Sequence, residues 1–90
     1  MRKGTNKKRE QEALKNFSTW LEKFMLDHKL QAKQVSKASG IHPNVISNWR
    51  HARSVPNGYS IALLASSLAY LTEQDRKDIL DNMVTAMLWA

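Results

Sequence analysis

Asn44, Ser47, Asn48 and His51 recur at steps of three, one and three residues, a spacing that collects them on one face of a helix. All four side chains are polar, and each has both a donor and an acceptor to offer. An asparagine amide donates and accepts at once, which matches the edge that adenine presents in the major groove of DNA. Asn44 and Asn48 are therefore the first candidates for reading bases. Ser47 and His42 rank second, because Ser47 could bond to backbone instead and His42 could serve only to cap the helix. Gln31, Lys33, His51 and Arg53 suit phosphate oxygens, contacts that fix position without choosing a sequence.

These residues need two short helices to position them. The stretch from Gln31 to Arg50 reads as such a pair, joined by a tight turn at Gly40, where the backbone must take a positive φ. Pro43 suits the first turn of the second helix, since its missing N–H would have no partner there. Val35 and Ala38 are expected to face the core from the first helix, and Val45 or Ile46 with Trp49 from the second. Pro43–His51 then becomes the helix that enters a groove. Gln31, Ala32 and Lys33 open the preceding helix, where free N–H groups and the dipole favour a phosphate; an ordinary solvated first turn has the same composition. Leu30 and Gln31 are both poor caps by side-chain type.

A longer helix over Glu10–His28 precedes the pair. Leu14, Phe17, Leu21, Phe24 and His28 form its apolar stripe, widened by Trp20 and Met25. Thr19-Trp20-Leu21-Glu22 also fits a capping box, but Leu14 and Phe17 keep the phase of the longer helix. His28 fits a partly buried histidine at a helix end better than a ligand. Downstream, Pro56-Asn57-Gly58 breaks the chain and starts a helix whose stripe is Ile61, Leu64, Ala65 and Leu68, with Tyr59 and Tyr70 expected to cover the core with their rings. Thr72-Glu73-Gln74-Asp75 reads as the opening of a last helix over about 72–89, with Thr72 as its cap. That helix is more apolar than one edge of a small bundle needs. A face of Leu80, Met83, Val84 and Met87 is expected to pair two copies of the chain, the alternative being burial of both faces within one.

Composition sets the outer limits. Ninety residues with three Gly, two Pro and no Cys suit one all-α domain without disulfides or thiolate metal sites. The net charge of +6 divides into +4 over residues 1–16, +4 over 17–56 and −2 over 57–90. The basic half is thus the one carrying the helix pair, as a polyanion-facing half would be. Residues 1–9 hold Arg2, Lys3, Lys7, Lys8 and Arg9 and read as a flexible basic arm that follows a groove or phosphates, although a frayed, solvated terminus has the same composition. Residues 10–90 form the domain. No apolar run is long enough for a bilayer and no signal peptide is visible, so a cytoplasmic protein without membrane contact is expected. His28, His42 and His51 lack metal-ligand spacing, and no nucleophile motif or Gly-rich phosphate loop occurs; neither enzyme activity, metal nor cofactor is expected.

From about Phe17 to Leu71 the chain resembles the Cro/C1-type helix-turn-helix family of phage and bacterial regulators. The resemblance rests on Val35, the small Ser36, Gly40-Ile41, Val45-Ile46-Ser47 and Trp49, then Pro56, Ile61, Leu64-Ala65 and Leu68. It extends to the lambda-repressor-like branch through the basic arm, the long first helix, and Tyr59 before Ala62-Leu63-Leu64-Ala65. It implies a five-helix lambda-repressor-like bundle with the helix-turn-helix at helices 2 and 3. It also implies a sequence-specific regulator of transcription, a phage- or mobile-element-type repressor that binds double-stranded DNA as a homodimer, with RNA polymerase as a further partner. Activators of the CII type look similar across Gly40-Ile41 and Ile46–Arg50, so an activator is the alternative, as is a protein-interaction module on the same fold. Five positions depart from the pattern: Ser36 stands for a usual Ala, Ala32 for a contacting Gln, Arg50 and Ala52 for a frequent Glu and Gly, and Pro43 for a base-reading side chain.

Overall fold

Phe17, Leu21 and Met25 follow one another at four-residue steps and are buried, which fixes the inward face of the first and longest helix. The computed structural model describes the backbone of residues 2–89 and the side chains of residues 11–88. The elements in order are α1 (Arg2–Asp27), α2 (Ala32–Ser39), α3 (Pro43–Arg50), α4 (Gly58–Thr72) and α5 (Arg76–Trp89), and the described residues contain no strand. The chain is all-α.

α1 starts earlier than expected, so the backbone of residues 2–9 is helical rather than an irregular arm. Lys7 to Gln11 are all good helix formers, and adding turns to a helix already nucleated by packing costs little. The side chains of Arg2, Lys3, Lys7, Lys8 and Arg9 lie outside the described residues. Glu22 sits mid-helix, so the capping-box alternative at Thr19 does not apply.

One core joins all five helices. Phe17, Leu21 and Met25 of α1 meet Val35 of α2, Ile46 and Trp49 of α3, Leu64, Ala65 and Leu68 of α4, and Ile79 and Met83 of α5. α5 packs on both α1 and α4, α2 packs on α4, and α3 packs on α1 and α2. The open alternative on α3 resolves to Ile46, fully buried, with Val45 outside. Ala38 is a correction: it is exposed, because the covered side of α2 runs through Ala32, Val35, Ser36 and Ser39 and Ala38 falls off it. Tyr59 and Tyr70 are also exposed, at 74% and 79%, and do not lid the core.

Four helix ends are closed by a residue in the left-handed region: Lys29 (φ 55°), Gly40 (79°), Ala52 (58°) and Glu73 (56°). The last of these moves the start of α5. Thr72 is the final residue of α4, where its hydroxyl donates to the Leu68 carbonyl at 2.6 Å. The cap of α5 is Asp75, whose Oδ1 accepts from the Lys77 N–H at 2.8 Å. Leu68 to Leu71 prolong the apolar stripe of α4, so the chain stays helical one step longer and the stronger cap opens the next helix. His28 is likewise exposed rather than partly buried. Its Nδ1–H donates to the Phe24 carbonyl at 2.9 Å, and its Nε2 lies 2.8 Å from the Gln74 amide nitrogen, which ties the end of α1 to the α4–α5 turn.

Candidate nucleic-acid interface

α3 begins with two local signals that act together. His42 Nδ1 accepts from the Asn44 N–H at 3.1 Å and caps the helix, while Pro43 occupies its first position. It ends at Ala52, where the Arg53 N–H reaches the Asn48 carbonyl at 2.8 Å and the Ala52 N–H reaches that of Trp49 at 3.3 Å. This is the paired closure of a Schellman stop, made here without glycine.

The rotation of α3 about its axis is fixed from beneath and from one flank. Beneath, Ile46 is fully buried and Trp49 is 2% exposed, with the Trp49 ring edge-on to Phe17 at 6.3 Å between centroids. On the flank, Ser18 Oγ of α1 donates to the Arg50 carbonyl. Arg50 Nε in turn donates to Glu22 Oε1 at 2.7 Å. That guanidinium holds the Glu22 carboxyl below its ordinary range, against a smaller opposing effect of burial. At 3.6 residues per turn, Asn44, Ser47, Asn48 and His51 then fall within an arc of about 100° opposite Ile46 and Trp49.

Within that arc Asn44 and His51 are exposed, while Ser47 and Asn48 are half-buried. The half-buried pair is already engaged. Arg53 Nη1 lies 3.4 Å from Asn48 Oδ1, a long contact that leaves the Asn48 NH2 group for a ligand. Ser47 Oγ is 3.3 Å from His51 Nδ1, which lies closer, at 2.8 Å, to the Ser47 carbonyl. His42 is exposed at the N-terminal end. Gln31 and Lys33 are exposed in the first turn of α2, where the Gln31 N–H donates to Gln34 Oε1 at 2.8 Å. A reciprocal local bond thus opens α2 in spite of the weak cap that side-chain type suggested.

Two further residues of α3 are placed by the packing. Val45, 37% exposed, lies beside the polar arc as an apolar group of the kind that meets a thymine methyl; the pattern gave no means to choose it over Ile46 for the outside. Arg50 is turned toward Glu22 and away from the arc.

The face expected to pair two copies is divided. Met83 is fully buried in the core and cannot take part, which corrects the expectation. α5 needs it there because the helix is covered by α1 and α4 together. Leu80 and Met87 are half-buried against the core, leaving Val84, 39% exposed, and Leu88, 67% exposed, as the outward apolar groups. Leu88 continues the same series four residues after Val84 and was left out of the expected face.

Among the described residues no cluster of three or more His, Asp or Glu side chains could hold a metal ion, and no helix is long and apolar enough to cross a membrane. Comparisons with protein-family models, curated proteins and solved structures find no match to this chain.

Proposed function

We propose that this chain is a sequence-specific, double-stranded DNA-binding regulator of transcription, a repressor of the phage or mobile-element type acting in the cytoplasm as a homodimer on operator half-sites. On this reading the bundle is lambda-repressor-like, and α2 and α3 are its helix-turn-helix. The observation that carries the reading is the arc of Asn44, Ser47, Asn48 and His51, held outward on a helix whose other side is locked by Ile46, Trp49 and Arg50. Asn44 and Asn48 read base edges, with His42, Ser47 and Val45 beside them. Lys33, Gln31 and Arg53 bind phosphates, as do the basic groups of residues 1–9. Val84 and Leu88 centre the contact between copies, flanked by Leu80 and Met87. RNA polymerase is a further partner if the bound protein activates rather than blocks.

The test is a salt titration of binding to random-sequence duplex DNA. Several phosphate contacts give a log–log slope of about −0.9 for each one. A flat response would remove the DNA reading and leave the protein-interaction module, for which the exposed Tyr70 and its groove with Gln34, Lys37, Ala38 and Leu71 provide a surface.

A further inference from the structure

The two histidines that bound α3 are bonded to the backbone in opposite senses. At His42, Nδ1 takes the Asn44 N–H at 3.1 Å. An amide nitrogen only donates, so this Nδ1 keeps its lone pair and the neutral ring carries its proton on Nε2. At His51, Nδ1 lies 2.8 Å from the Ser47 carbonyl oxygen. A carbonyl only accepts, so this Nδ1 carries the proton and Nε2 keeps the lone pair. Both rings are exposed, and in each Nε2 is the nitrogen left for a ligand.

We infer that α3 offers nucleic acid opposite groups at its two ends: His42 as a neutral donor, and His51 as an acceptor that becomes a donor only on taking a second proton. This rests on the DNA-binding reading above and specifies its chemistry. A phosphate oxygen only accepts, so neutral His51 has no proton to give it. The phosphate contact at the end of α3 is therefore made by the imidazolium, and binding draws a proton from solvent. His42 behaves in the reverse way. A second proton would have to sit on Nδ1, where it would displace the Asn44 N–H and cost the cap. His42 thus serves in its neutral form, aimed at a base acceptor such as guanine O6 or N7, adenine N7 or thymine O4.

The charged groups on the elements packed against α3 permit this division. Glu22 of α1 interacts with both Arg50 and His51, but its hydrogen bond goes to Arg50 at 2.7 Å. Lys23 and Asp27 of α1 pair with each other at 3.0 Å. α2 brings the exposed Lys33 and Lys37, and Arg53 follows α3 with a contact to Asn48. A phosphate oxygen bound at His51 Nε2 supplies the acceptor for the second proton.

Two measurements on the full chain test the inference. Without DNA, long-range 1H–15N spectra of the neutral rings should find the Nδ1–H form at His51 and the Nε2–H form at His42. The same form in both rings would overturn the inference. With a random-sequence duplex at fixed ionic strength, affinity should rise from about pH 8 to about pH 6, by at most about tenfold per pH unit for one proton. His51→Gln should remove that rise, leaving only the opposite trend expected of His42, and His51→Lys should bind without the rise. A rise retained by His51→Gln, or no rise in His42→Asn (which keeps a capping side chain and lacks the opposing ring) when binding still weakens with salt, would overturn proton uptake while leaving the DNA reading in place. Binding that ignores both salt and pH would remove the two together.

Discussion

Ala52 closes α3 with φ at 58°, in the region that an L side chain enters only at a cost, and replacing it with glycine should stabilise the fold. The left-handed conformation costs a non-glycine residue about 1–2 kcal/mol. Glycine returns about 0.4–1 kcal/mol of that by loosening the unfolded chain. Loss of a half-buried methyl returns a few tenths more, set against about 0.8 kcal/mol for a methylene fully buried. The net gain for Ala52→Gly is about 0.5 kcal/mol. Glu73 stands at φ 56° and is exposed, so Glu73→Gly forfeits no burial and should gain about 0.8 kcal/mol by the same terms. α3 and α4 do not pack on each other among the described residues, so the two effects should add to about 1.3 kcal/mol. In a domain of this size that raises the thermal midpoint by about 5–10 °C. Circular dichroism melts of the double variant measure it. Gly40→Ala is the control: nothing lies within 4 Å of the added Cβ, so any loss there is backbone strain alone. A double variant that melts with the wild type, while Gly40→Ala melts lower, would refute the assignment of strain to Ala52 and Glu73.

Asn48→Ala should relax preference at one operator position, whereas Lys33→Ala should weaken all sequences alike; selection from random duplexes separates the two, and equal effects would mean the polar arc has been assigned to the wrong face. Val84→Lys should lower self-association in sedimentation without loss of helix, whereas Met83→Lys should unfold the chain because Met83 is fully buried. Wild type sedimenting as a monomer at high concentration would remove the dimer. Because Arg50 depresses the Glu22 pKa in the folded protein, the stability this pair contributes is present above the unfolded carboxyl value of about 4.3. It is lost as pH falls through the lower folded value. Both side chains are well solvated, at 45% and 29% exposure, so the contribution is about 0.2–1 kcal/mol. Urea midpoints of Glu22→Gln should lie below those of wild type at neutral pH and converge with them in acid; parallel curves would contradict the pairing.

The local grammar of the helix pair could be read from sequence because each signal lies within a turn of what it governs. Gly40 stops α2, Pro43 and His42 start α3, and Phe17, Leu21 and Met25 mark a core face by spacing alone. What could not be read depends on distant partners. Thr72 could cap a helix or close one, and the choice turns on whether the stripe through Leu68 and Leu71 still meets a neighbour. Met83 looked like surplus apolar area because counting residues along α5 does not reveal that two helices cover it. The pairing of Arg50 with Glu22 joins residues 28 apart in the chain, so no local spacing announced it.

That last pairing bears on where affinity for a polyanion would come from. Arg50 is the one cation within α3, and Glu22 takes its hydrogen bond. Pro43 has neither donor nor charge to offer. The helix therefore brings hydrogen-bonding groups to a groove but little net charge, apart from a second proton on His51. Charge must come from its surroundings, namely Lys33, Arg53 and the segment over residues 1–16 with its net charge of +4. Helical backbone from Arg2 changes what that segment can do. Eight residues rise about 12 Å as a helix, against about 27 Å fully extended. On a helical backbone the segment therefore spans less than half the distance it would reach when extended. On the DNA-binding reading, selectivity and charge thus reside on separate elements: α3 discriminates with little electrostatic pull, and α1 adds attraction that is indifferent to sequence. Raising salt should therefore cost affinity far more than it costs the ratio between preferred and random sites.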